Sequence, residues 1–155
     1  MRQTLTRFRM LSNILRRTFL ILVFALAVSA RSTEAQGVRI VVNGSTETGD
    51  LTAASVAKIF LKQERKFASG TSAFPVDLPK TSTTRAAFSK EVIGRSTSAV
   101  EQYWLQQLFA GKDTPPPAKS SDEEVVDFVK RTPGAIGYIS ATAELPSGVK
   151  AITLK

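Results

Sequence analysis

Residues 132–139 of the chain read TPGAIGYI, and the prediction of the fold starts from this stretch. Pro133-Gly134 predicts a turn, and the apolar run from Ala135 to Ile139 predicts a buried strand. Ahead of the turn, Ser121-Asp122-Glu123-Glu124 is a capping box, which predicts a helix running to Lys130. A helix, a turn and a buried strand in this order are typical of an α/β domain.

The rest of the chain repeats this interleaving of strands and helices. Strands are predicted at Val38–Asn43 (VRIVVN), at 149–154, and at 73–78 (AFPVDL), where Pro75 favours a sheet edge or a strand start. Helices are predicted from Asp50 or Thr52 to Phe60, from Thr81–Thr84 to Ile93, and from Ala99 to Ala110. The connections are too long for simple hairpins, so we expect an α/β domain with a mixed or largely parallel sheet flanked by helices.

The helix predicted at 99–110 carries the largest apolar stripe in the chain. Its members at helical spacing are Val100, Tyr103, Trp104 and Leu108. We therefore expect the core to centre on Trp104. The apolar faces expected to surround it are those of Phe60, Phe88, Val125 and Ile136.

Residues 1–35 have the order of a signal peptide. Arginines up to Arg17 precede Thr18–Ala30 (TFLILVFALAVSA), an uncharged apolar run of 13 residues. A run of this length is too short to span the ~30 Å hydrocarbon core comfortably as a helix. Cleavage is possible after Ala30 or Ala35, and Ala35 is preferred because a short polar segment then precedes the site. The domain prediction is a signal peptide over 1–35 and an exported domain over 36–155.

Several readings of this first segment stay open. The apolar run is also compatible with an uncleaved N-terminal anchor. Arg16-Arg17 fits the twin-arginine pattern of export in a folded state, but two arginines before an apolar run are ordinary, and the general secretory route is favoured. Met10 is an alternative start that would leave a compact signal peptide.

Cleavage of the signal peptide lowers the net charge of the chain, and the net charge of the mature chain is the one that bears on its partners. The whole chain has 21 Lys and Arg against 13 acidic residues, a net charge of +8. Six of the basic residues and only Glu34 of the acidic ones lie in 1–35, so the mature net charge is +3. This small excess does not favour a nucleic-acid partner.

Cys and His are both absent, which excludes His-dependent triads, Cys–His dyads and His/Cys zinc sites. We expect no enzyme activity, cofactor or metal.

Thr81-Ser82-Thr83-Thr84-Arg85 places four hydroxyls and a guanidinium where a turn leads into a helix. Backbone N–H groups at such a start, together with the helix dipole, suit a phosphate-like or sulfate-like oxyanion. Arg85 is able to add bidentate hydrogen bonds. The alternative is plain N-capping by Ser or Thr with Arg85 in solvent.

Four parts of the chain resemble the phosphate-type solute-binding proteins of ABC transporters and, more closely, a group of short bacterial proteins usually labelled as such. They are Ile59–Lys62 (IFLK), Pro75–Phe88 (PVDLPKTSTTRAAF), Tyr103-Trp104 with Phe109-Ala110-Gly111, and Thr132–Tyr138 (TPGAIGY). Their order and spacing match across nearly the whole mature chain, and TPGAIGY is the most specific.

The resemblance implies a single lobe of a type 2 periplasmic-binding-protein-like fold. In full-length relatives two such lobes close on an oxyanion, and one lobe holds it with an Arg ahead of Ser-Gly-Thr at a helix N-terminus. Ser82 and Thr84 match that Ser and Thr, whereas Thr83 stands at the Gly position. Leu78 or a neighbour stands at the Arg position, and Arg85 follows the motif instead.

The expected function is binding of phosphate or a related oxyanion at Ser82, Thr83, Thr84 and Arg85, in the periplasm or outside the cell, linked to phosphate uptake by an ABC transporter. Affinity is expected to be weak because one lobe offers half a cleft. The alternative is an interaction module of the cell envelope that has kept the lobe fold without ligand binding. No membrane span is expected after signal cleavage.

Overall fold

The computed structural model describes residues 37–155, which contain four strands and four α-helices. The signal peptide predicted at 1–35 lies outside these residues. In chain order the elements are β1 Val38–Asn43, α1 Ala53–Phe60, β2 Phe74–Pro75, α2 Thr83–Phe88, α3 Thr97–Phe109, α4 Asp122–Arg131, β3 Ala135–Ser140 and β4 Val149–Ile152. A π-helical turn, Ser89–Ile93, continues α2. The strand bounds predicted for Val38–Asn43 are confirmed.

The sheet is mixed and has the strand order β2-β3-β1-β4. β3 pairs in parallel with β2 and antiparallel with β1, with Ile40 opposite Tyr138 in the register of the antiparallel pair. β4 pairs antiparallel with the other side of β1. The predicted α/β class with a mixed sheet is confirmed.

The core lies on both faces of β3 because its residues alternate between two helical layers. Tyr138 is fully buried and stacks on Phe88 of α2, with ring centroids 3.9 Å apart and planes within 6° of parallel. Phe60 of α1 completes this aromatic cluster, 4.6 Å from the Phe88 ring. On the opposite face α4 packs through its buried residues Val125, Val126 and Val129.

Two glycines of the TPGAIGY segment lie where a larger side chain would clash with its neighbours. Gly134 has a φ of +81°, and a Cβ there would lie 2.3 Å from the carbonyl oxygen of Ser72. Gly137 faces α4, where a Cβ would lie only 2.7 Å from a methyl group of Val125. The first glycine therefore permits the turn, and the second permits close helix–strand packing.

The strand predicted at 73–78 is paired with β3 only at Phe74–Pro75, so its length was overestimated. The amide of Val76 still donates to Ile136, but the backbone of Asp77 then bonds to Pro117 and Lys119 instead. Pro75 lacks the N–H group that a longer ladder needs. The predicted edge position is confirmed.

The prediction that the core centres on Trp104 is wrong. Trp104 is 5% exposed, but it belongs to a small separate cluster with Leu61 and Val100. Leu108, expected on the same buried face, is 51% exposed. The main core is instead built around Tyr138 and Phe88, because α1, α2 and α4 cover the sheet whereas α3 packs beside them.

Candidate functional site

A buried polar cluster follows β2 and is formed by Asp77, Arg85 and Tyr138. The Asp77 and Arg85 side chains are each 10% exposed, and Asp77 Oδ2 lies 3.0 Å from Arg85 Nη1. Asp77 Oδ1 accepts hydrogen bonds from the Tyr138 hydroxyl and, at 2.9 Å, from the backbone amide of Leu78. Both carboxylate oxygens are therefore occupied by the protein's own donors.

The protonation of this cluster follows from burial and charge. Burial raises the pKa of Asp77, while Arg85 and the hydrogen bonds from Tyr138 and Leu78 oppose that rise. Burial, reinforced by the negative charge of Asp77, raises the pKa of Tyr138. The phenol therefore keeps its proton and acts as a hydrogen-bond donor to the carboxylate.

Ser82 is the N-cap of α2 and is one of the hydroxyl residues 81–84 that the sequence offers as caps. Its Oγ accepts from the amide of Arg85 at 3.3 Å, and its carbonyl accepts from Ala86 at 3.1 Å. The amides of Thr83 and Thr84 precede this first intrahelical bond, and no acceptor for them is found within 37–155. Two donors at the helix start are thus open to solvent or to a ligand.

Arg85 does not lie in solvent, which was the alternative to a ligand-binding role. It is buried, and Nη1 donates to the carbonyl of Leu78 at 2.7 Å as well as pairing with Asp77. Arg85 thus crosses back from α2 to the end of the preceding segment. Its buried counter-ion was not predicted. The signal was present, since an Asp within the apolar run AFPVDL must find a partner if the run is buried.

A surface pocket of about 320 Å³ opens beside this cluster. Its apolar walls come from α3 and from the proline-rich loop that follows it, and its polar lining comes from the Asp77–Arg85 pair, Lys80 and Glu101. The apolar lining residues are Pro79, Trp104, Leu105, Leu108, Pro115, Pro116 and Ala118. Of the four predicted site residues only Arg85 lines this pocket; Ser82, Thr83 and Thr84 do not.

Within residues 37–155 no group of three or more acidic side chains is placed to hold a metal ion. In the same range, no helix has the length and apolar character needed to cross a membrane.

No family model matches the chain, and no curated protein matches it by sequence. Solved structures do match. An ABC-type phosphate transport receptor from Vibrio cholerae superposes with a TM-score of 0.57 at 19% identity, over 76% of this chain and 46% of the receptor. A protein from Clostridium perfringens, assigned as a phosphate ABC transporter substrate-binding protein and solved with bound phosphate, gives 0.55 at 19% identity, over 76% of this chain and 44% of that protein.

A possible phosphate binding protein from Planctomyces limnophilus gives a TM-score of 0.55 at 22% identity, over 77% of this chain and 41% of that protein. At these identities the likeness concerns the fold. The chain spans less than half the length of each of these proteins. The fold implied by the sequence resemblance, a single lobe of a periplasmic-binding-protein-like architecture, is confirmed.

Proposed function

We propose that the chain is an exported, solute-binding-like lobe that binds phosphate or a related oxyanion at Ser82, Thr83, Thr84 and Arg85. The observation that carries the proposal is the pair of open amides at Thr83 and Thr84. They lie at a helix start, on a lobe that shares its fold with structures described as phosphate-binding.

The chemistry of this helix start suits an oxyanion. The two amides point along the positive end of the helix dipole, and the threonine hydroxyls add donors at the same place. Arg85 follows Thr84 in the helix and contributes hydrogen-bond donors, while its positive charge is paired with Asp77. The site binds by hydrogen bonding and electrostatics, without bond making or breaking.

A single lobe limits the affinity. An anion on an exposed helix start keeps much of its hydration and is screened by salt. We expect dissociation constants of about tens of micromolar or poorer. In the cell such a lobe would work outside the cytoplasm beside a phosphate transporter, or complete its cleft with a second subunit.

Calorimetric titration with phosphate, sulfate and acetate tests the proposal, and Ser82→Ala is the informative variant. Ser96 provides a matched control, because it caps α3 through the same bond, its Oγ accepting from Ala99 at 3.2 Å. Each substitution removes one cap at a cost of about 1 kcal/mol of stability. Only Ser82→Ala is expected to weaken anion binding, whereas Thr83→Gly is expected to preserve or tighten it by letting the ion approach the backbone.

Lack of binding by any of these anions at millimolar concentration would refute the proposal. An equal loss of affinity in the Ser82 and Ser96 variants would also count against it, since the effect would then come from stability alone.

A second function, docking to another protein of the envelope, is favoured by the solvent-facing side of α3. Phe109 is 86% exposed, and Leu105 and Leu108 are each about half exposed. An exposed apolar face of this kind is typical of an interaction surface. Under this function phosphate and sulfate leave the melting temperature of the protein unchanged. A photo-crosslinker placed at Leu108 is expected to yield one defined adduct in cells, whereas a crosslinker at the exposed Lys90 is expected to yield none.

A further inference from the structure

The pocket beside α3 combines a wall of apolar side chains with a charged floor. Trp104, Leu105 and Leu108 line one side, and Pro115 and Pro116 line the other. Its volume of about 320 Å³ lies at the lower end of the ~300–1,000 Å³ usual for small-molecule sites. An inorganic ion would leave this apolar wall in water, so the wall indicates a ligand with an apolar body.

On the floor of the pocket, one edge of the Arg85 guanidinium has no hydrogen-bond partner in the described range. Nη1 is taken by Asp77 and by the carbonyl of Leu78. Nη2 and Nε of Arg85 have no hydrogen-bond acceptor within residues 37–155. Every fully buried side-chain nitrogen or oxygen in that range has a partner, so these two unpaired atoms must contact solvent. The solvent-filled space that Arg85 lines is this pocket. A guanidinium edge of this kind matches the two oxygens of a carboxylate or phosphonate.

The other charged side chains of the pocket indicate the sign of the charge that a ligand should carry. Both oxygens of Asp77 already contact donors of the protein, namely Tyr138, Leu78 and the guanidinium of Arg85, which makes Asp77 a poor partner for a ligand cation. Lys80 on the rim is exposed and adds positive charge. Glu101 is the remaining carboxylate on the rim and opposes an anion.

We propose that this pocket binds a small organic oxyanion, an aryl or branched-alkyl phosphonate or carboxylate. Its apolar body lies against Trp104 and Leu108, and its oxygens lie on the Nη2–Nε edge of Arg85. The inference goes beyond the proposed function: it shares Arg85 with that site but places an organic anion in the pocket, which Ser82, Thr83 and Thr84 do not line.

The test uses Trp104, the single tryptophan of the chain, as a reporter inside the site. The mature protein is titrated with phenylphosphonate, methylphosphonate, inorganic phosphate and benzylammonium under excitation selective for tryptophan. We expect phenylphosphonate to change the Trp104 emission and to bind about tenfold or more tighter than methylphosphonate, since only its ring covers the apolar wall. Benzylammonium is expected not to bind.

Three variants assign the effect to the pocket. Leu108→Ser should reduce the preference for phenyl over methyl by about fivefold, because it removes half-exposed apolar wall without opening the core. Phe109→Ser is the matched control, since Phe109 is a more exposed neighbour on α3 that does not line the pocket, and the preference should stay unchanged. Glu101→Gln should tighten phenylphosphonate by about threefold because it removes a repelling charge.

The outcomes separate this inference from the proposed function. If inorganic phosphate binds but phenylphosphonate binds no tighter than methylphosphonate, the organic-anion pocket is refuted and the proposed function stands. If phenylphosphonate binds with a Trp104 signal and phosphate does not bind, the pocket stands and the inorganic site fails. Binding of benzylammonium as tight as that of phenylphosphonate, or absence of binding by all four compounds, refutes the pocket.

Discussion

Two aromatic regions of this lobe are packed differently. Around Tyr138, the rings of Phe60 and Phe88 are at most 3% exposed and have helices or sheet on every side. Around Trp104, the helix is covered on one side only, and Leu105 and Leu108 along the same helix are half exposed. Apolar periodicity therefore shows which residues share a face, whereas burial depends on whether another element covers that face.

The largest expected effect is in the Tyr138 region. Phe88→Ala removes a ring that is 1% exposed and stacked on Tyr138. We expect a loss of about 3–5 kcal/mol in the free energy of unfolding, from lost burial and a cavity that rigid neighbours cannot close. Urea denaturation followed by circular dichroism measures it. A loss below about 1 kcal/mol would mean that this region is no better packed than the surface.

Arg85→Gln tests the polar cluster that separates the two regions. Removing one partner of a buried ion pair is expected to cost about 3 kcal/mol near neutral pH. Lys58→Gln is the control, because the Lys58–Glu64 pair is about half exposed and should contribute within about 0.5 kcal/mol.

The loss in Arg85→Gln should depend on pH with a definite sign. Burial already raises the pKa of Asp77, and the substitution removes the positive charge that opposes this rise. In the folded variant Asp77 then retains a proton that it releases in the unfolded chain, where its pKa is about 3.9. The variant should therefore lose stability relative to wild type as the pH rises from about 4 to about 7. Urea midpoints across this range measure the trend, and a gap that is constant or shrinks with pH would contradict it.

Trp104→Ala should cost less than Phe88→Ala, about 2–3 kcal/mol, because its cluster is small and its pocket side already contacts solvent. The same denaturation experiment by circular dichroism compares the two variants directly. If Trp104→Ala is the more costly of the two, the ranking of the two regions is reversed.

Phe109→Ser should have the smallest effect. At 86% exposure the ring contributes little to folding, so the free energy of unfolding should change by less than about 0.5 kcal/mol. The variant should also be more soluble, since it removes the most exposed large apolar side chain in the described range. A loss above about 1 kcal/mol would show that this end of α3 is covered in solution.

Much of the fold was predictable from local chemistry. The bounds of β1 and the hydroxyl caps at Thr52, within residues 81–84 and at Ser121 depend on a few neighbouring residues. The α/β class followed from their order along the chain. The length of β2 did not follow, because its ladder ends where Asp77 changes partner to a loop some forty residues away.

The candidate site divides in the same way. The sequence by itself determined that a hydroxyl residue within 81–84 caps a helix, since capping involves residues within one turn; the structure shows that this residue is Ser82. Only the tertiary structure decided that Arg85 turns back to Asp77, that Tyr138 donates to the same carboxylate, and that Trp104 lines a pocket beside them. These contacts join residues that are far apart in the chain, and their geometry depends on how the helices pack on the sheet.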